Sequence, residues 1–93
     1  MKDKKILVCD DDQGILEMLE LILEDEGYQV VIEPKSVHAL RKIEQEIPDL
    51  ILLDLNMPVL DGWQFLDEFE RITFAKKIIV FIVSSSIDPS DLE

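Results

Sequence analysis

The side chains that could do chemistry in this chain stand where its apolar runs stop. Three consecutive aspartates, residues 10–12, follow the first apolar run, and Asp54 follows a later one. Three serines, residues 84–86, follow the last such run. A single Asp at the end of a run is more often a turn residue than a reactive one. Their joint placement at three run ends favours a shared site made of carboxylates and a hydroxyl.

Carboxylates brought this close together have a definite chemistry. Like charges at short distance raise each other's pKa or recruit a cation. Oxygen ligands suit Mg²⁺, which takes one or two carboxylates and keeps several waters. If the strands that precede them are neighbours, the carboxylates of residues 10–12 and of Asp54 meet at one edge of the sheet, where they would suit a cation such as Mg²⁺, and the Asp54 carboxylate is placed to react.

Alternating strands and helices must position these side chains. Apolar runs predict four strands, and the spacing of apolar residues between them changes to that of a helix. Gly27 is predicted to stop the first helix, and Ser36 to cap the second. The predicted strands are Ile6–Cys9, Tyr28–Ile32, Leu50–Leu53 and Ile78–Val83; the predicted helices begin near Ile15, Ser36 and Trp63.

This alternation predicts a single α/β domain whose parallel strands are joined by right-handed crossovers. Three of the strands are apolar throughout, which is typical of strands covered on both faces. In an open parallel sheet, ligands bind at the carboxyl ends of the strands. The aspartates and serines fall at that end, so the fold class and the candidate site support each other.

Charge and composition exclude several classes of function. The chain has nine Lys plus Arg residues and 21 Asp plus Glu residues, which give a net charge of −12. We therefore expect no binding to nucleic acid or to an anionic membrane. The single cysteine, Cys9, lies in an apolar run and is expected to be a buried, inert thiol. No stretch resembles a signal peptide or reaches transmembrane length, so a cytoplasmic location is expected.

Three segments of the chain resemble the receiver domains of two-component response regulators: "ILVCDDD", "DLILLDLNMPVLDGWQFL" and "IVFIVSS". The resemblance implies a flavodoxin-like, doubly wound sheet. It implies a phosphoacceptor, not a separate enzyme, which takes its phosphoryl group from a sensor histidine kinase or a phosphotransfer protein. The implied roles are phosphoacceptor for Asp54, Mg²⁺ ligation for Asp10, Asp11, Asp54 and the Asn56 carbonyl, phosphoryl contact for Ser84, and open access beside the small Ser85.

The resemblance also implies a C-terminal shortfall. Receiver domains continue into a fifth strand and fifth helix and carry a lysine that pairs with the phosphoryl group. Residues 1–93 are thus expected to form one incomplete receiver domain of strand order 2-1-3-4. Lys76 and Lys77 precede the fourth strand, roughly 20 Å from the carboxyl ends, and cannot replace that lysine. The fourth strand would be an apolar edge, which predicts a homo-oligomer formed through that strand or by segment exchange.

Two other functions compete with phosphoryl acceptance. Haloacid-dehalogenase-like phosphatases also use an Asp after an apolar strand, but here Asn56 and Pro58 replace the partners of that motif. A receiver-like module that works by dimerisation, with impaired phosphorylation, is the stronger alternative. The intact acidic residues disfavour it and the lost lysine favours it.

Overall fold

The computed structural model describes residues 4–54 and 62–83, within which strands and helices alternate without exception. The predicted α/β class is confirmed. The elements are β1 (Lys5–Cys9), α1 (Gln13–Asp25), β2 (Gln29–Glu33), α2 (Ser36–Glu46), β3 (Leu50–Asp54), α3 (Gly62–Lys76) and β4 (Ile79–Val83).

The four strands form one parallel sheet in the order β2-β1-β3-β4. β1 lies at the centre, where Cys9 is level with Glu33 of β2 and with Leu53 of β3. On the other side of β3, Asp54 is level with Val83 of β4. The register therefore brings the carboxyl ends of β1, β3 and β4 to the same edge of the sheet.

Alternate residues of the central strands enter two separate cores, one on each face. Leu7 and Ile51 pack with Ile43 of α2 and Phe69 of α3 on one face. Ile6 and Val8 pack with α1 on the other. Because β1 is covered on both faces, all of its apolar side chains are buried, as its uninterrupted apolar run predicted.

The helix boundaries follow the predicted signals in one case and depart from them in another. Gly27 directly follows the C-cap of α1 and has φ 96°, a left-handed conformation that favours glycine, so the predicted stop is confirmed. The predicted cap at Ser36 is wrong, because Ser36 is already helical and Lys35 holds the cap position. The Lys35 backbone N–H donates to the Glu33 carboxylate at 2.9 Å, which fixes the turn into α2.

β4 departs from the expectation that an apolar run is covered on both faces. Ile79, Phe81 and Ile82 are all exposed, although β1 and β3 carry runs of similar composition. The physical reason is position, because β4 is the outermost strand of the described sheet on the side of β3. No helix among the described residues is long and apolar enough to cross a membrane.

Candidate functional site

Adjacent strands deliver the acidic residues to one place. β1 and β3 are hydrogen-bonded neighbours, with Cys9 opposite Leu53. Asp10 follows Cys9 and Asp54 follows Leu53, so the two carboxylates emerge side by side where the strands end. The hydrogen-bonded pairing of β1 with β3 sets this position.

Asp10, Asp11 and Asp54 form a compact carboxylate cluster. One oxygen from each side chain lies within 4.8 Å of those from the other two. Asp10 and Asp54 are 4% and 5% exposed, whereas Asp11 faces solvent. The cluster thus has a buried floor of two carboxylates and one carboxylate at the surface.

Burial and crowding make the charge on Asp10 costly. Burial raises the pKa of Asp10 above its ordinary 3.8, and the neighbouring carboxylates of Asp54 and Asp11 raise it further. The backbone N–H of Asp12, which donates to Asp10 Oδ1 at 2.9 Å, acts in the opposite direction. The net direction is upward, so a positive ion at this cluster would stabilise the ionised form.

Asp12 has a different role from Asp10 and Asp11. Its side-chain Oδ1 accepts a hydrogen bond from the backbone N–H of Ile15 at 3.2 Å, which caps the N-terminus of α1. Asp12 therefore serves as a helix cap. The structure brings Asp10 and Asp11 together with Asp54.

The donor set fits a hard divalent cation. The ligand atoms are carboxylate oxygens alone, and their separation of less than 4.8 Å lets one ion contact all three side chains. With three acidic ligands and open access at Asp11, Mg²⁺ could keep several of its waters, as it prefers.

Other predicted site residues lie outside the described part of the chain. Asn56, Ser84 and Ser85 are among them, so their roles in metal ligation and phosphoryl contact stay predictions. Lys76 ends α3 and Lys77 follows it, so both precede β4, whose far end is level with Asp54. Their placement agrees with the expectation that neither lysine reaches the carboxylate cluster.

Sequence reasoning missed a further acidic residue at this end of the sheet. Glu33 ends β2, is buried, and lies 3.9 Å from Nδ1 of His38. Burial and the charge of Glu33 together raise the pKa of the Cys9 thiol to about 12, in that order of importance. The available signal was the position of Glu33, which directly follows a predicted strand and precedes Pro34. Asp54 likewise directly follows a predicted strand.

Comparisons with known proteins agree with this architecture. The model of the response regulator receiver domain matches residues 6–93. Sporulation initiation phosphotransferase F of Bacillus subtilis is 33% identical over 88 residues, which cover 95% of this chain and 71% of that protein. The transcriptional regulatory protein GlrR of Escherichia coli is 35% identical over 86 residues, 92% of this chain but only 19% of that protein. The chain thus spans about a fifth of the length of this relative.

Solved structures give the same result. A response regulator receiver domain protein from Clostridium thermocellum superposes with a TM-score of 0.77 at 31% identity, covering 95% of this chain and 70% of that one. The receiver domain of Francisella response regulator 1452 superposes with the same score at 27% identity, covering 96% and 72%. The chain belongs to the response regulator receiver domain family of two-component signalling, and its fold is flavodoxin-like.

Proposed function

We propose that this chain is a phosphoacceptor, in which Asp54 receives a phosphoryl group from a phosphohistidine and a magnesium ion is held by Asp10, Asp11 and Asp54. The observation that carries the proposal is the carboxylate cluster at the ends of β1 and β3, in a chain of the receiver family. The partner is a sensor histidine kinase or a phosphotransfer protein, and the reaction takes place in the cytoplasm.

The transfer balances without a further reactant. A carboxylate oxygen of Asp54 forms a bond to phosphorus as the bond between phosphorus and the donor histidine nitrogen breaks. The imidazole leaves and regains its proton from water. Bound Mg²⁺ supplies positive charge that offsets the repulsion between the phosphoryl oxygens and the carboxylates.

The residues of the chain contribute position and electrostatics. β3 ends at Asp54, whose side chain is held within the buried floor of the cluster. Asp10 lies beside it, fixed by the hydrogen bond from the Asp12 backbone. In this poorly solvated site, charge interactions are stronger than in open water, so the carboxylates attract the cation more strongly.

Acetyl phosphate offers a direct test in the absence of a kinase. The 93-residue chain is incubated with it, with and without Mg²⁺, and the intact mass is measured. We expect one phosphoryl group, lost on mild alkali treatment as an acyl phosphate, and only with Mg²⁺. The reaction is expected to be slow, since Lys76 and Lys77 lie at the distant end of β4.

Variants locate the modified residue. Asp54→Asn should abolish the added mass, whereas Asp67→Asn, which changes an exposed aspartate of α3, should leave it intact. Label that survives in Asp54→Asn would remove that residue from its assigned role. Equal labelling with and without Mg²⁺ would contradict the proposed requirement for the metal.

A second candidate function is favoured by a separate observation, the exposed apolar strand β4. A receiver-like module that acts by dimerisation would use this edge and would show little labelling of Asp54. The acetyl phosphate experiment separates the two, because only the phosphoacceptor needs both Mg²⁺ and the Asp54 carboxylate.

A further inference from the structure

The turn between β1 and α1 holds the carboxylate of Asp10 in place. The backbone N–H of Asp12 donates to Asp10 Oδ1 at 2.9 Å, and this hydrogen bond restricts rotation of the carboxylate. The Asp10 backbone N–H donates in turn to the Glu33 carbonyl at 3.3 Å. Carboxylates that ligate metal ions are themselves hydrogen-bonded, and loss of the group that holds them weakens metal binding. For the Asp10 carboxylate, that group belongs to Asp12.

The orientation of this N–H depends on how α1 begins. Asp12 occupies the N-cap with an extended backbone, φ −91° and ψ 109°. Its side-chain Oδ1 accepts the Ile15 N–H at 3.2 Å, and its carbonyl accepts the Leu16 N–H at 3.0 Å. Asp12 therefore links two sets of hydrogen bonds, one that starts the helix and one that holds Asp10.

Hydrogen bonds, and not packing, set the conformation of this turn. Cys9 before it is buried in one core, and Leu16 after it is buried in the other. The side chains of residues 11–14 between them are exposed. The two buried residues fix the ends of the segment, so the path between them depends on the bonds that Asp12 makes.

The Asp12 carboxylate serves the helix and is not placed to ligate the ion. Among the residues that the structure describes, the carboxylates close enough to share an ion are those of Asp10, Asp11 and Asp54. A Cβ at Gly14 would lie 3.3 Å from Asp12 Oδ1, which is tighter than most Cβ contacts, so the glycine leaves the space that the cap occupies. Asp12 can therefore influence the ion through Asp10 or through its charge.

We propose that Asp12 is a positioning residue of the metal site: its side chain holds the start of α1, and its backbone N–H thereby orients the Asp10 carboxylate for the cation. The inference rests on the magnesium site of the proposed function and needs no phosphoryl transfer. Ion binding and order in the first turn of α1 become reciprocal, because both favour the same arrangement of residues 10–12.

The Mn²⁺ affinity of the 93-residue chain measures this role. Mn²⁺ takes the same oxygen ligands as Mg²⁺, and loss of the free-ion signal in electron paramagnetic resonance reports its binding. Asp12→Ala removes the cap and the charge and should weaken binding about tenfold. Asp12→Asn removes the charge but keeps an oxygen that caps a helix equally well, so its affinity should stay within about threefold of the unmodified chain.

Gly27→Ala separates positioning from a general loss of stability. It weakens the same helix at its other end, where Gly27 has φ 96°. That end lies roughly 20 Å along α1 from the carboxylate cluster. Gly27→Ala should lower the melting temperature and leave the Mn²⁺ affinity unchanged at a temperature where every variant is folded.

Amide hydrogen exchange tests the reciprocal effect in the unmodified chain. Saturating Mg²⁺ should slow exchange of the Asp12 and Ile15 N–H groups about threefold or more beyond its effect on the Glu26 N–H, which is bonded at the other end of α1. A general stabilisation would slow both ends by the same factor. In Asp12→Ala the difference between the two ends should shrink.

Each contrary result has a separate meaning. If the unmodified chain binds Mn²⁺ and Asp12→Ala binds it as tightly, the positioning role is rejected and the phosphoacceptor function is unaffected. If Asp12→Asn loses as much affinity as Asp12→Ala, charge is the cause; if Gly27→Ala loses as much, stability is the cause. Either result rejects positioning, as does equal slowing of exchange at both ends of α1. Absence of binding to the unmodified chain would reject both this role and the metal site.

Discussion

At the scale of single residues, the site depends on an unequal distribution of burial. Asp10 and Asp54 lie under the surface while Asp11 is exposed, although Asp10 and Asp11 are neighbours in sequence. Without a cation, ionisation of Asp10 is penalised, because its pKa is raised by burial and by the nearby charges.

Replacing Asp10 should stabilise the metal-free protein. Asp10→Asn removes a buried charge and keeps an oxygen to accept the Asp12 N–H, so its melting temperature should exceed that of the unmodified chain. A gain of ~1 kcal/mol would correspond to about 4–8 °C in a domain of this size. Asp11→Asn, at the exposed position, is the matched control and should gain less. Equal gains in melting temperature for the two variants would show that burial of Asp10 is not the cause of its effect.

The pH dependence has a definite sign. A carboxyl group with a raised folded pKa binds its proton more tightly in the folded state than in the unfolded one. The contribution of Asp10 to the stability of the metal-free protein therefore falls as the pH rises above 3.8, the ordinary pKa of an aspartate. The advantage of Asp10→Asn should be largest at neutral pH and shrink as the pH falls towards that value. Thermal melts of both proteins across this range would show it.

The Cys9 thiol should be unreactive in the folded protein. Its pKa of about 12 leaves almost no thiolate near pH 8, and burial also blocks access. Thiol modification should be roughly 100-fold slower, or more, in the native state than in denaturant, where the pKa returns to its ordinary range. Time courses with a chromogenic disulfide reagent in buffer and in guanidinium measure both rates. Similar rates would show that the strand opens readily.

At the scale of the elements, α1 is tied to the site by its first turn. Asp10 accepts the Asp12 N–H, and the Asp12 side chain accepts the Ile15 N–H, so strand end and helix start share one hydrogen-bonded turn. At its other end, the helix stops at Gly27 because the chain takes up positive φ there. The length of α1 is thus set by two local signals.

The stop at Gly27 is a testable feature of α1. Gly27→Ala places a Cβ where φ is 96°, which should cost about 1–2 kcal/mol of unfolding free energy. Glu26→Ala changes the preceding residue, which is exposed and has ordinary right-handed φ, and should alter stability by less than about 0.5 kcal/mol. Urea unfolding of both variants gives the comparison. Equal effects would mean that the left-handed turn is not required.

At the scale of the whole molecule, the main electrostatic feature is the net charge of −12, which attracts cations. The carboxylate cluster concentrates part of this charge at one edge of the sheet. Ionic conditions should therefore influence the stability of the fold.

Mg²⁺ should stabilise the fold beyond the effect of ionic strength. Binding to the folded state alone contributes ~1.4 kcal/mol when free Mg²⁺ is about ten times its Kd. The melting temperature should rise more with MgCl₂ than with NaCl of equal ionic strength, and Asp11→Ala should remove the difference. If MgCl₂ and NaCl act equally on the unmodified chain, the cluster does not bind the ion.

The sequence by itself determined the order of elements and the ends at which the acids lie. Apolar runs and helical spacing are local properties, and they placed Asp10 after one strand and Asp54 after another before any contact was known. The strand boundaries of β2 and β4 were predicted to within a residue. β2 was predicted at Tyr28–Ile32 and is observed at Gln29–Glu33, and β4 was predicted to begin at Ile78 and begins at Ile79. The strand order came from the family resemblance and not from periodicity.

Only the tertiary structure decided what each of these residues experiences. Burial depends on which strands are neighbours, so it separates Asp10 from Asp11, assigns Asp12 to a helix cap, and places Glu33 under the surface beside Cys9. The same reason explains why one apolar run is buried in β1 and a similar one is exposed in β4. A hydrophobic pattern states which side chains would gain from cover, but the strand order and the packed helices determine which of them receive it.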